Sequence, residues 1–295
     1  MRVLTQNHLA SSMPISPAQN ALPTVLLVGH GTRLAAGLTE FATLVAQVRQ
    51  ALPERTVQTA FLELAAPDIA TALEQLWQQG VRRVTVLPAL LLAAGHLKHD
   101  IPALLESARA RHPEMTIILA AELGVHTHLL HVAAARIAAA EAAFASHYQR
   151  QDSLLLVVGR GGADPDANAT VARATRLLGE TLGFAWMETA YASRAMPSVE
   201  QALEQLRRLE FPQLLVLPYL LFAGRLARQI EATVTAFQQR HDQPQVALAS
   251  YLNADPGVVA TLLVRLEEAE SGRAPPNCWL CPNRARRDPV DPVQE

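Results

Sequence analysis

The sequence predicts an α/β protein made of two duplicated domains, each with a four-stranded parallel sheet flanked by helices. The first observation behind this prediction is an alternation, from residue 24 onward, of short runs rich in Val, Ile and Leu with longer amphipathic runs rich in Ala, Leu, Gln and Glu. Buried strands that alternate with helices are typical of parallel sheets covered on both faces. The second observation is that the whole pattern begins again after residue 150.

The first copy contains four strands, each followed by a helix. The predicted strands are residues 24–29, 56–63, 83–90 and 115–121. The predicted helices are residues 38–52, 67–80, 99–112 and 127–147. Gly80 supplies the glycine that commonly follows the last turn of a helix. Short connections between these elements favour parallel neighbouring strands.

The second copy repeats this pattern at a nearly constant distance along the chain. Its predicted strands are residues 153–159, 184–191, 213–220 and 245–251. The segment "AAPDIATALEQL" matches "AMPSVEQALEQL", and "VLPALLLAAGH" matches "VLPYLLFAGR". Such self-similarity indicates an internal duplication. We therefore expect a flexible leader over 1–22, an N-terminal domain over 23–150, a C-terminal domain over 151–271 and a flexible tail over 272–295.

Composition and charge argue against several classes of protein. Half of the 295 residues are hydrophobic, 18% are charged, and the formal net charge is −2. A nucleic-acid-binding protein usually has a basic excess, and no apolar run approaches the roughly 20 residues that span a bilayer. The first residues do not have the pattern of a signal peptide. Only two cysteines are present, which suits a reducing compartment, so we expect a cytoplasmic protein without membrane or nucleic-acid partners.

Two glycine-rich turns occupy equivalent places in the two copies but differ in chemistry. "LLVGHGTR" contains His30, and "LLVVGRGG" contains Arg160. Neither turn has the spacing of a dinucleotide-binding fingerprint, and the chain contains no P-loop. We therefore expect no nucleotide cofactor.

Three positions of the first copy carry side chains suited to a metal site. His30 follows the first strand, Glu63 ends the second, and His96 follows the third. In the second copy the equivalent residues are Arg160, Ser193 and Arg225. Because the carboxyl ends of parallel strands meet at one edge of the sheet, we expect the three to converge. Two imidazoles and a carboxylate could hold a divalent metal ion such as cobalt, iron or nickel, or act as acid–base groups.

The motifs "LLVGHGTR", "AFLELAAPDI" and "LPALLLAAGHLKHDIP" resemble those of the ATP-independent class II sirohydrochlorin chelatases, in their long two-domain form. This resemblance covers residues 24–270 and implies two flavodoxin-like halves that face each other across a cleft. It implies insertion of a divalent metal into sirohydrochlorin, with Co²⁺ for cobalamin synthesis as the first expectation and Fe²⁺ for siroheme as the alternative. His30 and His96 would bind the metal and accept protons, and Glu63 would assist.

The resemblance also implies an anionic substrate, because sirohydrochlorin carries carboxylate side chains around its ring. Guanidinium and ammonium groups bind carboxylates well. The predicted substrate-binding residues are Arg33, Lys98, Arg160, Arg225 and Arg228. Short relatives build the cleft from two identical chains, whereas here the second half would supply the far wall, in a monomer or a homodimer. A non-catalytic carrier of tetrapyrrole or metal is the alternative from another class.

The chain ends with a C-x-x-C motif formed by Cys278 and Cys281. Two thiolates are too few for a closed zinc or iron–sulfur site, which needs four ligands. The alternatives are an iron–sulfur cluster shared between chains, transient metal capture, thiol redox chemistry and a tail without function.

Overall fold

Two four-stranded parallel sheets form the centre of the molecule. The structure is a computed structural model, and it describes residues 22–144 and 148–273. The first sheet contains β1 (Thr24–Gly29), β2 (Val57–Phe61), β3 (Arg83–Pro88) and β4 (Thr116–Leu119) in the order β2-β1-β3-β4. The second contains β5 (Ser153–Gly159), β6 (Trp186–Tyr191), β7 (Gln213–Pro218) and β8 (Gln245–Leu248) in the order β6-β5-β7-β8. The predicted α/β fold with two duplicated halves is confirmed.

Helices connect the strands of each sheet. In the first half they are α1 (Ala35–Ala51), α2 (Ile69–Gln78), α3 (Ile101–Arg111) and α4 (Thr127–Glu141). In the second half they are α5 (Pro165–Leu182), α6 (Val199–Arg207), α7 (Arg225–Arg240) and α8 (Pro256–Glu270). A single π-helical turn, His96–Asp100, precedes α3. Among the described residues, no helix combines the length and apolarity needed to cross a membrane.

One predicted helix ends earlier than expected. The sequence pattern predicts it over residues 127–147, but α4 stops at Glu141. The Glu141 carboxylate accepts hydrogen bonds from the Arg150 guanidinium at 2.6 Å and from the Tyr148 hydroxyl at 3.0 Å. These contacts tie the end of α4 to the segment just before the second half, so the helix stops here even though alanines favour its continuation. The last three residues of the predicted helix, 145–147, lie outside the described residues.

The last helix of each half packs on the sheet of the other half. Helix α4 lies against β7, β8 and α5, and α8 lies against β3, β4 and α1. Arg265 on α8 donates hydrogen bonds to the carbonyls of Glu122 and Leu123, where the chain leaves β4. Arg136 on α4 makes the equivalent contacts beyond β8. The packed units therefore differ from the sequence repeats 23–150 and 151–271, because each unit borrows one helix from the other repeat.

This exchange joins the two halves through a continuous apolar core. One cluster of buried side chains includes Val25 and Leu27 of the first sheet, Leu155 of the second, and residues of both exchanged helices. Burial of apolar surface is the main favourable contribution to folding. The two halves therefore share this cluster, while each half also has a cluster of its own. The shared cluster fixes the relative position of the two sheet edges.

Candidate functional site

A cavity of about 800 Å³ lies between the two halves. Its walls come from the segments that follow β1, β2 and β3 on one side and β5, β6 and β7 on the other. These are the carboxyl ends of parallel strands, where open α/β sheets bind their ligands. The cavity is in the upper part of the size range of small-molecule sites, roughly 300–1,000 Å³.

Apolar side chains line the middle of this cavity. Phe41 lies 5.1 Å from Phe61 and 6.1 Å from Phe222, measured between ring centroids, and the second pair is edge-to-face. Tyr219 also lines the cavity and is fully buried. Flat aromatic surfaces that are held in place by packing suit a planar, largely apolar ring system.

A close backbone approach places His30 beside Glu63. Gly31 has φ +92°, and a Cβ atom at this position would collide with the carbonyl oxygen of Glu63. The Glu63 N–H donates a hydrogen bond to the His30 carbonyl at 3.1 Å. Gly161 shows the same left-handed backbone and the same approach to Ser193. Glycine is needed at both positions because a side chain would clash there.

His30, Glu63 and His96 converge at the first sheet edge. His30 Nδ1 lies 3.5 Å from Glu63 Oε1, and the rings of His30 and His96 are perpendicular with centroids 5.1 Å apart. Each residue offers one ligand atom within 4.8 Å of the others. Two nitrogens and one oxygen in this arrangement can hold a divalent transition metal with open positions for further ligands.

Asp100 orients His96. Its carboxylate Oδ2 lies 2.7 Å from His96 Nδ1, and an acceptor at this place favours the tautomer that has its proton on Nδ1 and its lone pair on Nε2. Metal-binding histidines are commonly held in this way by a carboxylate on the other ring nitrogen. The sequence prediction missed Asp100, although the four-residue spacing from His96 on a helical turn was a usable signal.

Arg160 from the second half contacts His30 across the cavity. Arg160 Nη1 lies 3.0 Å from His30 Nε2. Burial and the nearby Arg160 charge lower the pKa of His30 below its ordinary value, although the Glu63 carboxylate opposes this shift. His30 is therefore a neutral imidazole near pH 7, which is the form that binds metals.

The wall opposite the histidines carries arginines. Arg160 and Arg225, which the sequence predicts as substrate-binding residues, both line the cavity. The sequence prediction missed Arg194, which also lines it from a left-handed backbone position with φ 47°. Its equivalent in the first half is Leu64, so the change from an apolar to a basic residue between the copies was the signal. The two acidic residues of the lining, Glu63 and Asp100, both belong to the first half.

Lys98 differs from its predicted position. Instead of lying on a cavity rim, Lys98 is 7% exposed and its Nζ lies 2.7 Å from Asp164 and 2.8 Å from Asp166. The two aspartates belong to the start of α5, so the ion pairs join the halves. Arg33 and Arg228 are exposed and are absent from the described residues that line the cavity. Cys278 and Cys281 lie outside the described residues.

The fold and the cluster together define a class: an α/β protein of two chelatase-type halves, with a histidine–carboxylate cluster in the cleft between them. The CbiX family model matches residues 24–140 and 154–269. The chain therefore belongs to the CbiX family.

Curated relatives and a solved structure agree with this assignment. The chain is 31% identical over 264 residues to the sirohydrochlorin cobaltochelatase of Priestia megaterium, covering 89% of this chain and 85% of that one. It is 32% identical to the sirohydrochlorin ferrochelatase of the same organism, covering 82% and 88%. The structure of SirB from Bacillus subtilis with Fe³⁺ superposes with a TM-score of 0.75 at 27% identity, covering 85% and 98%.

Proposed function

We propose that this protein inserts a divalent metal ion into sirohydrochlorin without using ATP. The observation that carries the proposal is the convergence of His30, Glu63 and His96, with ligand atoms within 4.8 Å of one another, in a cavity whose opposite wall is basic. The relatives named as sirohydrochlorin chelatases support the choice of substrate. The chain has no P-loop.

His30 and His96 hold the metal ion in the proposed reaction. Asp100 accepts a hydrogen bond from His96 Nδ1 and so keeps the lone pair on Nε2 available. Neutral His30 supplies a second nitrogen. Imidazole ligands bind cobalt, iron and nickel well enough to capture the ion and weakly enough to release it to a macrocycle of four nitrogens.

Metal insertion must also remove two pyrrole protons from the macrocycle. The metal would bind all four nitrogens: two through lone pairs that they already have, and two through nitrogens that each lose an N–H proton. The gain of two positive charges is therefore balanced by the loss of two protons. A histidine freed of the metal is a base near neutral pH. Glu63, 3.5 Å from His30 and half exposed, accepts the proton from the imidazole and passes it to solvent.

The arginine wall binds the carboxylates of the substrate. Arg160, Arg194 and Arg225 line the cavity from the second half, and guanidinium groups bind carboxylates in bidentate geometry. The macrocycle would lie on the apolar surface around Phe41 and Phe222. In this placement, one face of the macrocycle and its four nitrogens would lie toward the histidines.

We propose Co²⁺ as the metal, with Fe²⁺ as the second candidate. The match to a cobaltochelatase extends over 89% of the chain, whereas a ferrochelatase relative of similar identity favours iron. Imidazole and carboxylate ligands accept either ion. One chain supplies both walls of the cavity, so a monomer is sufficient for activity, and a homodimer remains compatible with the site. The two cysteines of the whole sequence favour a cytoplasmic location.

The test is anaerobic metallation of sirohydrochlorin, followed by its change in visible absorption, with Co²⁺ and Fe²⁺ in parallel. We expect rates well above the spontaneous reaction, with Co²⁺ as the better substrate, and loss of the acceleration in His96→Ala. A faster rate with Fe²⁺ would assign the second candidate metal. No acceleration with either metal would contradict the proposal, and tight tetrapyrrole binding alongside it would identify a carrier.

A further inference from the structure

Both ring nitrogens of His30 are engaged in the structure. Nδ1 faces Glu63 at 3.5 Å, and Nε2 lies 3.0 Å from the Arg160 guanidinium. A guanidinium has only donors, so His30 Nε2 must accept this hydrogen bond and the imidazole proton must lie on Nδ1. The lone pair that a metal ion needs is therefore occupied by Arg160.

His96 shows the opposite situation. Its Nδ1 donates a hydrogen bond to Asp100 Oδ2, 2.7 Å away, and no hydrogen bond from another described residue occupies its Nε2. Hence one histidine of the cluster is ready for a metal ion, while the other is held by a cation from the opposite wall. A metal ion that binds between them must displace Arg160.

We infer that Arg160 couples the binding of a carboxylate-bearing substrate to the binding of the metal ion. The inference rests on the proposed function. A substrate carboxylate draws the Arg160 guanidinium away from His30 Nε2, and the released lone pair then becomes a metal ligand. Arg160 contacts His30 in the empty protein and the substrate carboxylate in the complex. Binding of the substrate therefore favours binding of the metal ion, and the reverse is also true.

The chemistry of the two partners favours this exchange. A hydrogen bond from guanidinium to a carboxylate carries opposite charges and is stronger than one to a neutral imidazole. Arg160 is exposed, so its side chain is not packed into the core. Moving the cation from His30 to the substrate also removes a positive charge from the place where the metal ion binds, which lowers the repulsion between them.

Reciprocal coupling follows from linkage. If the carboxylates raise the affinity for metal by some factor, the metal raises the affinity for the carboxylates by the same factor. The enzyme would therefore bind metal weakly when it is empty and more tightly when the tetrapyrrole is present. This order of binding keeps the metal on the protein mainly when a macrocycle is ready to receive it.

Arg225 is a matched control for Arg160. Both arginines belong to the second half and line the same cavity. Among the described residues, the Arg225 side chain makes no hydrogen bond and no ion pair. Replacing Arg225 therefore removes a cation from the same wall without releasing a histidine nitrogen.

The experiment measures Co²⁺ affinity by titration calorimetry for the wild type, Arg160→Ala and Arg225→Ala, without tetrapyrrole. We expect Arg160→Ala to bind Co²⁺ about tenfold more tightly, which corresponds to about 1.4 kcal/mol. Arg225→Ala should stay within about twofold of the wild type because exposed charges are screened. If Arg160→Ala is not folded by circular dichroism, Arg160→Met, which keeps side-chain length without a donor, replaces it.

A second titration uses nickel uroporphyrin, a carboxylate-rich tetrapyrrole whose nitrogens are already occupied. This probe should tighten Co²⁺ binding in the wild type and have no such effect in Arg160→Ala. Unchanged or weaker Co²⁺ binding in a folded Arg160 variant would overturn the inference, as would equal tightening in Arg225→Ala. These titrations measure binding and involve no turnover. Their result can therefore contradict the role of Arg160 without contradicting the proposed function, which the metallation assay tests.

Discussion

The two halves of this molecule share a backbone but have different chemistry at the same positions. Equivalent strands, glycine turns and helices build both sheets, and the turns at Gly31 and Gly161 make the same close approach to the neighbouring loop. At the sheet edge, however, His30 and His96 of the first half stand where the second half has Arg160 and Arg225. The first half therefore offers metal ligands, and the second offers cations.

This difference shows how duplication can separate two tasks within one cavity. Residues that both halves need for the fold are kept in both, because the turn geometry leaves no room for a side chain. Residues that line the cavity at the sheet edges differ, and in the proposed function the first half binds a metal ion while the second binds carboxylates. A cleft between two identical halves would present the same residues on both walls.

The largest expected effect comes from removing a metal ligand of the first half. His30→Ala and His96→Ala should each lower the kcat/KM of sirohydrochlorin metallation by about 100- to 1,000-fold, because binding of the ion and proton transfer both depend on them. Stopped-flow absorption under anaerobic conditions measures the rate. Activity within a few-fold of the wild type in both variants would place the metal elsewhere.

The second effect concerns the group that orients His96. Asp100→Ala should lower metallation activity and Co²⁺ affinity by about 10- to 100-fold, which is the usual effect of removing the carboxylate partner of a metal-binding histidine. Calorimetry with Co²⁺ and the absorption assay check both quantities. Asp100→Asn is the matched variant, because the amide oxygen still accepts the Nδ1 proton, and it should retain more activity than the alanine. Equal losses in the two variants would show that the hydrogen bond is not the cause.

The arginines of the second half should affect mainly the KM for sirohydrochlorin. Arg194→Gln and Arg225→Gln should each raise the KM for sirohydrochlorin by about tenfold and leave kcat within a few-fold, since each removes uniform carboxylate binding. Steady-state kinetics with varied tetrapyrrole separate the two parameters. A lower kcat at unchanged KM would instead assign these arginines to the chemical step.

The smallest effect concerns the ion pairs that join the two halves, between Lys98 and the two aspartates Asp164 and Asp166. Lys98→Met should lower the free energy of unfolding by about 2 kcal/mol at pH 7, because it leaves Asp164 and Asp166 without their cation in a partly buried place. Urea denaturation followed by circular dichroism gives the free energy. Arg228→Met, at an exposed position, is the control and should change the free energy by less than about 0.5 kcal/mol.

The ion pair between Lys98 and Asp164 also predicts that the free energy of unfolding depends on pH. Burial raises the pKa of Asp164. The hydrogen bonds from Lys98 and from backbone N–H groups lower it by more than burial raises it, so the pKa lies below its ordinary value. A lowered pKa means that the stabilisation is complete above the pKa of the unfolded chain, about 3.9, and is lost as the pH falls through the folded value. The stability difference between wild type and Lys98→Met should therefore shrink on acidification below about pH 4. A difference that stays constant down to pH 2 would contradict the assigned ion pair.

Much of the fold could be predicted from the sequence because duplication gives an internal alignment. The exchange of α4 and α8 could not, because it depends on contacts between distant parts of the chain, α4 with β7 and α8 with β3. The convergence of His30, Glu63 and His96 was predictable from their places at the ends of parallel strands.

The remaining site residues show where such reasoning fails. Lys98 is two residues from His96, and its sequence position suggests an exposed rim residue. Its side chain is instead buried against two aspartates of the other half, a long-range pairing that local sequence does not encode. Arg194 was missed because its loop has no regular structure from which a direction could be inferred.

The most direct test of the division between the halves compares His96→Ala with its positional equivalent, Arg225→Ala, in two equilibrium titrations. One titration adds Co²⁺ without tetrapyrrole, and the other adds sirohydrochlorin without metal. The account predicts that His96→Ala loses Co²⁺ binding and keeps sirohydrochlorin binding, whereas Arg225→Ala keeps Co²⁺ binding and binds sirohydrochlorin more weakly. Loss of both ligands in both folded variants, or the reverse pattern, would contradict the assignment of metal to the first half and carboxylates to the second.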